Sequence, residues 1–481
     1  MLRVPLKSVQ VFVGLILNES GITLTCKQIF FLGKFLTAMI LLGSFKITAV
    51  SNLFLCGQST AALYAMLRRT KIPFNDLFIG ALKLMIKTFK VTKVTLQIDD
   101  TDRERSKNCK LLPFVRKAMC KATGGWIQAQ NIVFIVMVTD VVTIPVWFKF
   151  HRPAKLSGAE KKKLKGNTDK IKKLDPTYKT KIDLACEGLE KVKNILSQIM
   201  KELEIDIKVQ SISGDNGYAS PQIQIVVTTL FDCQYISKAK PNQNVKTKTG
   251  LISLSKLFER YSVSRTVVNV RGHLISVEIK SARVFIESFG RKVFVVAIRY
   301  KDEKNWQYLF GTDLTWTAET IIKGYALRWL AEVFFEDWKQ CDGWGSGALQ
   351  RSDDGAVRGL FLSLLVDLFL LFYQSTDKSL QEHGRGQLYS AGTVVRHLQI
   401  KACCEAIEGI LDSENPRAEL ERVQEQMIAI AERHISLKHA KTFGLPNLEQ
   451  SSALRSRFGK LNRIEEEKQR IAINGESKKP A

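Results

Sequence analysis

Several things are scarce in these 481 residues, and each scarcity removes a class of protein. No two cysteines form a C-x-x-C pair. The nine are scattered as Cys26, Cys56, Cys109, Cys120, Cys186, Cys233, Cys341, Cys403 and Cys404. An odd count without metal-ligand spacing argues against a disulfide framework and a structural zinc site, and for a reducing compartment. Histidine occurs six times and never as H-E-x-x-H, which removes the common zinc-hydrolase motif. Acidic residues fall short: 47 Asp and Glu face 72 Lys and Arg, a net +25 with an isoelectric point near 9.6. Such an excess repels itself in a compact state, so a polyanion is the natural partner, nucleic acid ahead of an anionic membrane surface. Long apolar runs are short or interrupted. Ile29–Phe45 contains Lys34 and Leu360–Phe372 contains Asp367, so both read as buried helices and not as membrane spans. The start, MLRVPLKSVQVFVGLILNES, has no convincing cleavage site, so no signal peptide is expected and the protein is placed in the cytoplasm, away from membrane.

The rest of the composition is that of a globular protein, 45% hydrophobic and 25% charged. At roughly 100–200 residues per domain the chain has room for about two to four domains. Residues 1–90 read as helical. Within them GQSTAALYAMLRRTKI (Gly57–Ile72) is a short helix with Ser59 or Thr60 as N-cap and Arg68, Arg69 and Lys71 at its C-terminal end. Those cations suit the helix dipole, and Arg68 and Arg69 are equally candidates for phosphate contact.

Strand character begins near Val91. VTKVTLQIDD sets Val94, Leu96 and Ile98 on one face with two aspartates at the end. NIVFIVMVTDVVTIPVWFKF (Asn131–Phe150) reads as two buried strands with a turn near Asp140. Residues 151–181 hold ten Lys and Arg152 against Glu160, Asp169 and Asp175, a net +8, either a solvated loop or a phosphate-tracking arm. Lys181 to Glu204 reads as an amphipathic helix, and IDIKVQSISGDNGYAS as a strand running into a turn with Asp215 at its tip. From about Asp232 to Phe310 short β runs follow one another (RTVVNV, LISVEI, RVFIES, KVFVVAIRY, QYLF), punctuated by Gly272 and Gly290. Helical patterning returns through Tyr325–Lys339 and Leu360–Tyr373 and continues to a tail, NGESKKPA, that reads as disordered.

The segment GYALRWLAEVFFEDWKQ carries the chemistry. At roughly 100° per residue, Tyr325, Arg328, Glu332 and Lys339 share an arc of about 60°, opposite Leu327, Leu330, Ala331, Phe334 and Trp338. One face packs inward; the other presents phenol, guanidinium, carboxylate and ammonium. The plain alternative is a surface i,i+4 ion pair worth a few tenths of a kcal/mol. Two strand-end carboxylates stand elsewhere, Asp99 or Asp100 in QIDDTDRERS and Asp215 in SGDNGYAS; either could be a turn or cap residue. Two strand-end acids with one helix acid also meet the needs of metal-assisted phosphoryl chemistry, because Mg²⁺ takes hard oxygen ligands and keeps several waters.

Tyr325-x2-Arg328-x3-Glu332-x6-Lys339 resembles the Tyr-Arg-Glu-Lys signature of a branch of bacterial insertion-sequence DDE transposases. IDDT resembles that family's first aspartate context and favours Asp99 over Asp100. Asp215-Asn216-Gly217-Tyr218-Ala219-Ser220 resembles its D-x-x-Y-x-S context. The resemblance spans roughly residues 50–375 and implies an α/β fold. It consists of a ribonuclease H-like catalytic core (91–231 and 311–375) split by an antiparallel β-rich insertion (232–310), with a helical N-terminal DNA-binding region (1–90) and a helical C-terminal region (376–481). It implies that Asp99, Asp215 and Glu332 are catalytic and bind two Mg²⁺ ions, with Mn²⁺ as a substitute, and that Tyr325, Arg328 and Lys339 contact DNA. The implied activity is metal-dependent cleavage and strand transfer at the ends of an insertion sequence, cut and paste, by way of a hairpin in some relatives. Partners would be terminal inverted repeats, target DNA and a second copy of the chain in the synaptic complex. A bacterial, nucleoid-associated location follows from the same resemblance. For some relatives it also implies a Trp that receives a flipped base; Trp306 and Trp316 are both candidates. The alternative function is a transposase-derived DNA-binding protein whose catalysis has lapsed.

Overall fold

The structure is a computed structural model. It describes residues 4–54, 59–106, 109, 111–120, 124–164, 167–270, 272–301, 303–341, 350–384 and 387–433. Cys56, Gly57, the terminal NGESKKPA and the rest of the chain beyond Arg433 lie outside the described residues.

Five helices come first: α1 (Lys7–Ser20), α2 (Cys26–Leu42), α3 (Ile47–Leu53), α4 (Thr60–Arg69) and α5 (Phe74–Thr88). Their starts follow local chemistry. Thr25 and Gln28 form a capping box at α2, and Ser59 accepts the Ala62 N–H at α4. Four strands follow: β1 (Lys93–Arg105), β2 (Val115–Met119), β3 (Trp126–Val138) and β4 (Thr143–Phe150). The β3–β4 turn spans Asp140, with Thr139 holding it through its hydroxyl. The basic stretch carries α6 (Gly158–Leu164) and α7 (Thr168–Leu174), and a second capping box, Thr180 with Asp183, starts α8 (Lys181–Leu203). Then come β5 (Lys208–Gly214), α9 (Pro221–Phe231) and β6 (Gln234–Ala239).

The order β4-β3-β1-β5-β6 places β1 at the centre, antiparallel to β3 and parallel to β5, with β6 parallel to β5. The sheet is covered on both sides. On one, α8 lies so close that a Cβ on Gly188 would meet the Trp147 ring at 2.6 Å, so only glycine fits there. On the other, Phe78, Phe148 and Phe361 pack edge to face. This double cover explains why β3 reads as a continuous apolar run.

Beyond β6 the chain continues through β7 (Asn244–Thr247), β8 (Gly250–Ser253), α10 (Leu254–Glu259), β9 (Ser264–Val270), β10 (His273–Ile286), β11 (Arg291–Tyr300) and β12 (Gln307–Gly311), and the sheet runs β6-β12-β11-β10-β7-β8. Two sequence expectations need correcting. LISVEI and RVFIES are not separate strands; β10 runs through both, pairing with β9 in one half and β11 along the other. The segment 232–310 is also not antiparallel throughout, because β6 pairs parallel to β5, and β12 returns to pair antiparallel with β6. Gly272 and Gly290 make the turns, at φ of 80° and 65°.

Among the described residues the remaining helices are α11 (Ala318–Ala326), α12 (Trp329–Cys341), α13 (Asp353–Thr376), α14 (Lys378–Gly384), α15 (Ala391–Leu411) and α16 (Pro416–Arg433). The run Leu360–Phe372 is longer than the sequence reading allowed. It forms the middle of α13, which by length and composition alone could cross a membrane. Its apolar window is 67% buried against neighbouring elements, as suits a core helix.

A carboxylate cluster at the end of the parallel strands

β1 and β5 run side by side as far as the pair Ile98↔Gly214. Asp99 is the next residue of β1, and Asp215 is the first residue beyond β5. The sequence reading put Asp99 at the end of its strand; it lies mid-strand instead, because pairing with β3 carries β1 on to Arg105. Only the parallel pairing stops there. The chain leaves β5 into a short 3₁₀ turn, and a crevice opens, as it does at the carboxyl ends of parallel strands.

Arg328 crosses this crevice. Its Nη1 donates to Asp99 Oδ2 at 2.7 Å and its Nη2 to Glu332 Oε1, so one guanidinium holds two of the three acids. The other oxygen of Asp99 accepts the Asp100 N–H at 2.8 Å. Burial nevertheless pushes the Asp99 carboxyl up to about 6, against the pull of Arg328, and the nearby charges of Asp215 and Asp100 add to the rise. Burial alone would lower Arg328. Tyr325, Asp99 and Glu332 outweigh it and hold the guanidinium above its ordinary value.

The helix that presents these groups is not the continuous one its periodicity predicts. It breaks at Leu327–Arg328, between α11 and α12. The N–H groups of Arg328, Leu330 and Ala331 bond to carbonyls three residues back, at Tyr325, Leu327 and Arg328. Tight i→i+3 turns inside a helical run mark hinges and functional sites. Below the break, Ala331, Phe334, Phe335 and Trp338 are buried. Phe334, Phe335 and Trp338 all pack on Phe134 of β3, and Trp338 Nε1 donates to Ser363 of α13. Aromatic packing thus fixes the height of Glu332 above the sheet.

The D-x-x-Y-x-S segment resolves into separate tasks. Asp215 N-caps its turn, one carboxylate oxygen accepting the Gly217 N–H at 2.8 Å. Tyr218 is buried and its hydroxyl donates to Asp100 at 2.9 Å. Ser220 caps α9. Asp100 also accepts from Lys181 at 2.5 Å and Asn131 at 2.7 Å. Burial opposes its ionisation, but these donors prevail and keep it below the usual carboxylate range. Asp100 ties β1 to α8 and to the Asp215 turn; Asp99 faces the crevice.

Tyr325, at the end of α11, lies against Arg328 and Lys238, their charged groups 5.9 and 5.6 Å from its ring centre. Burial pushes its phenol up to about 12. Lys238, on β6, escaped the sequence reading, although a cation inside the apolar strand QYISKA is a visible signal. Burial and the neighbouring Arg328 lower it, while Glu303, Glu332 and Asp215 pull the other way. It lines a cavity of about 410 Å³ together with His273, Tyr325, Arg328 and Trp329. Lys339 lies half-buried further along α12. Burial and Arg103 lower it, and its acidic neighbours are Asp102 and Asp99.

The structure therefore gathers Asp99, Asp215, Tyr325, Arg328 and Glu332 around one crevice, with Lys339 along its edge. Arg68 and Arg69 are not part of it; they are exposed at the end of α4. Trp306 lies between Lys280 of β10 and Arg299 of β11, and Trp316 packs against the apolar cluster of Ile236, Val268, Val277 and Ile321, beside Gly324. Trp329, next to Arg328, was not singled out from the sequence. Among the described residues no three His, Cys, Asp or Glu side chains stand close enough to hold a metal ion as they are. The donor set still suits a hard divalent cation, since it is all carboxylate oxygen and already holds a cationic group between Asp99 and Glu332.

Residues 221–379 match the protein family described as "Archaeal putative transposase ISC1217". The matched third of the chain includes Tyr325, Arg328, Glu332 and Lys339 and stops short of Asp99 and Asp215. The match supports a DDE transposase of insertion sequences. No curated protein matches the chain. The solved structure titled "Drosophila P element transposase strand transfer complex" aligns over 95% of this chain and 89% of that one, at 10% identity and a TM-score of 0.23, a likeness too slight to bear on fold or function.

Proposed function

We propose that this chain is a DDE transposase with a ribonuclease H-like core that cuts DNA at the ends of an insertion sequence and joins them to a target. The observation that carries the reading is the meeting of Asp99 with Glu332, 233 positions apart in the chain, through Arg328, beside Asp215 at the end of the neighbouring parallel strand. The strand order β4-β3-β1-β5-β6, with the first three antiparallel and the last two parallel to β1, supports the core assignment. The family match over 221–379 supports the activity.

Asp99, Asp215 and Glu332 would hold two Mg²⁺ ions, or Mn²⁺, which supply charge neutralisation at the scissile phosphate. The chain's other groups bind and orient. Arg328 and Lys238 line one cavity of about 410 Å³ and would offer a phosphate two cations, Lys339 extends the cationic edge, and Tyr325 offers a hydroxyl and a ring. In cleavage a water oxygen bonds the scissile phosphorus as the 3′-oxygen departs and takes up a proton, leaving a free 3′-hydroxyl and a 5′-phosphate. In joining, that hydroxyl attacks a target phosphodiester and the target's 3′-oxygen departs, so bond number is conserved. A hairpin step would use the same exchange across one duplex. Two ends brought together call for two copies of the chain. The net +25 charge favours the phosphate backbone as ligand.

The test is incubation of the full chain with duplexes taken from the DNA bordering its own coding sequence, with Mg²⁺. The reading expects nicks with 3′-hydroxyl ends at inverted repeats and joined products with a target plasmid. Specific binding without any Mg²⁺-dependent nick would instead identify a lapsed transposase.

A further inference from the structure

We propose that Arg328 is a gate that keeps divalent cations out of the carboxylate cluster until a DNA phosphate draws it away. The proposal rests on reading Asp99, Asp215 and Glu332 as the metal site, and concerns how that site is filled.

The occupied oxygens carry the argument. Arg328 takes Asp99 Oδ2 and a Glu332 oxygen at once, while the Asp100 N–H takes the other oxygen of Asp99. A dication entering beside the guanidinium would share oxygens with a fixed positive charge in a partly buried place, where repulsion is weakly screened. Mg²⁺ also demands near-octahedral geometry and gives up water reluctantly, so it is a poor competitor for oxygens already paired. The acids and the guanidinium thus form a closed state, and no three acids stand together for a metal among the described residues.

An open state is prepared next door. Arg328 sits at the 3₁₀ break between α11 and α12, where the helix is most easily reset. It also lines the 410 Å³ cavity that holds Lys238, His273 and Trp329, with the Tyr325 ring on the way. Lys238 already places a cation there, partly desolvated. A phosphate entering beside Lys238 offers Arg328 a bidentate anion in exchange for its two carboxylates. Asp99 and Glu332 are then released together, because one side chain held both. Linkage requires that metal binding strengthen DNA binding by the same factor.

The test is Mn²⁺ titration of the full chain, read by the electron paramagnetic resonance of free Mn²⁺, with and without a duplex from the DNA bordering the coding sequence. Wild type should bind Mn²⁺ weakly alone and about tenfold more tightly with DNA. Arg328→Gln should bind about tenfold more tightly without DNA and gain little from it. Arg328→Lys, which keeps a charge but cannot span both acids, should fall between. Lys238→Ala should show a smaller gain from DNA than wild type does. Circular-dichroism melting confirms that each variant is folded. If Asp99→Asn abolishes Mn²⁺ binding but Arg328→Gln and Arg328→Lys both leave it unchanged or weaker, the gate is wrong and the metal site stands. If Asp99→Asn leaves Mn²⁺ binding unchanged, the metal site itself is wrong and the gate falls with it.

Discussion

Asp99 and Asp100 are chain neighbours on β1, and the two faces of that strand treat them oppositely. Asp100 points to the side where Lys181, Asn131 and Tyr218 all donate to it, and its carboxyl is held low. Asp99 points into the crevice, where one carboxylate oxygen takes the guanidinium of Arg328 and the other the backbone N–H of Asp100, and burial raises it to about 6. The alternation of a strand gives one sequence, Asp-Asp, two functions. A carboxylate saturated by fixed donors fastens elements together. One held by a single movable cation remains available for exchange.

The sharpest way to break this contrast is to remove the charge on each side in turn. Asp99→Asn, Asp215→Asn and Glu332→Gln should each abolish cleavage of end-labelled duplex while leaving gel-shift affinity nearly intact; cutting retained by any one would remove that residue from the site. Asp100→Ala should act the other way, on the fold, because Lys181 and Tyr218 lose a buried partner. A loss of about 3 kcal/mol in urea unfolding is expected. An unchanged midpoint would mean that the two faces do not differ as described.

A third carboxylate sharpens the comparison from beneath. Asp367, on α13, is buried, and its Oδ2 has no hydrogen-bond partner among the described residues. Burial, helped by the charge of Asp337 on α12, raises it to about 8. Because the folded value lies above the ordinary 3.8, the folded protein keeps a proton that the unfolded chain has released throughout that interval. Stability is therefore greatest at the acidic end and falls as pH rises toward 8. Asp367→Asn should flatten that slope, with a gain of more than about 1 kcal/mol at pH 8 and less near pH 5, read from melting curves. Equal gains at both would contradict it. The smallest effect belongs to Lys339→Ala, which should reduce the slope of log affinity against log salt by about one phosphate contact.

Much of this contrast was visible in the residues, and the misses have physical causes. The turn at Asp140 and the glycine turns at 272 and 290 follow from local backbone preference, which sequence carries directly. The crevice is set by where parallel pairing stops, a property of two strands and not one, so Asp99 read as a strand end when it is mid-strand. The break at Leu327–Arg328 has no proline or glycine to announce it. There the backbone tightens where Arg328 meets Asp99 from elsewhere in the chain, and periodicity alone extends a helix straight through. Tyr218 and Ser220 stood out by their spacing, but only the fold separates the buried tie and the helix cap from the carboxylate beside them. Lys238 is hidden in the sequence because 232–310 reads as one antiparallel block, whereas its strand pairs parallel to β5.

The central claim is that Asp99, Asp215 and Glu332 serve one divalent-cation site, and crystals of the full chain bound to end DNA and soaked in Mn²⁺ test it most directly. Anomalous difference maps should show manganese about 2.1 Å from oxygens of all three, with Arg328 withdrawn toward the Lys238 cavity. Manganese bound elsewhere, with Arg328 still joining Asp99 to Glu332 while DNA fills the crevice, would contradict it.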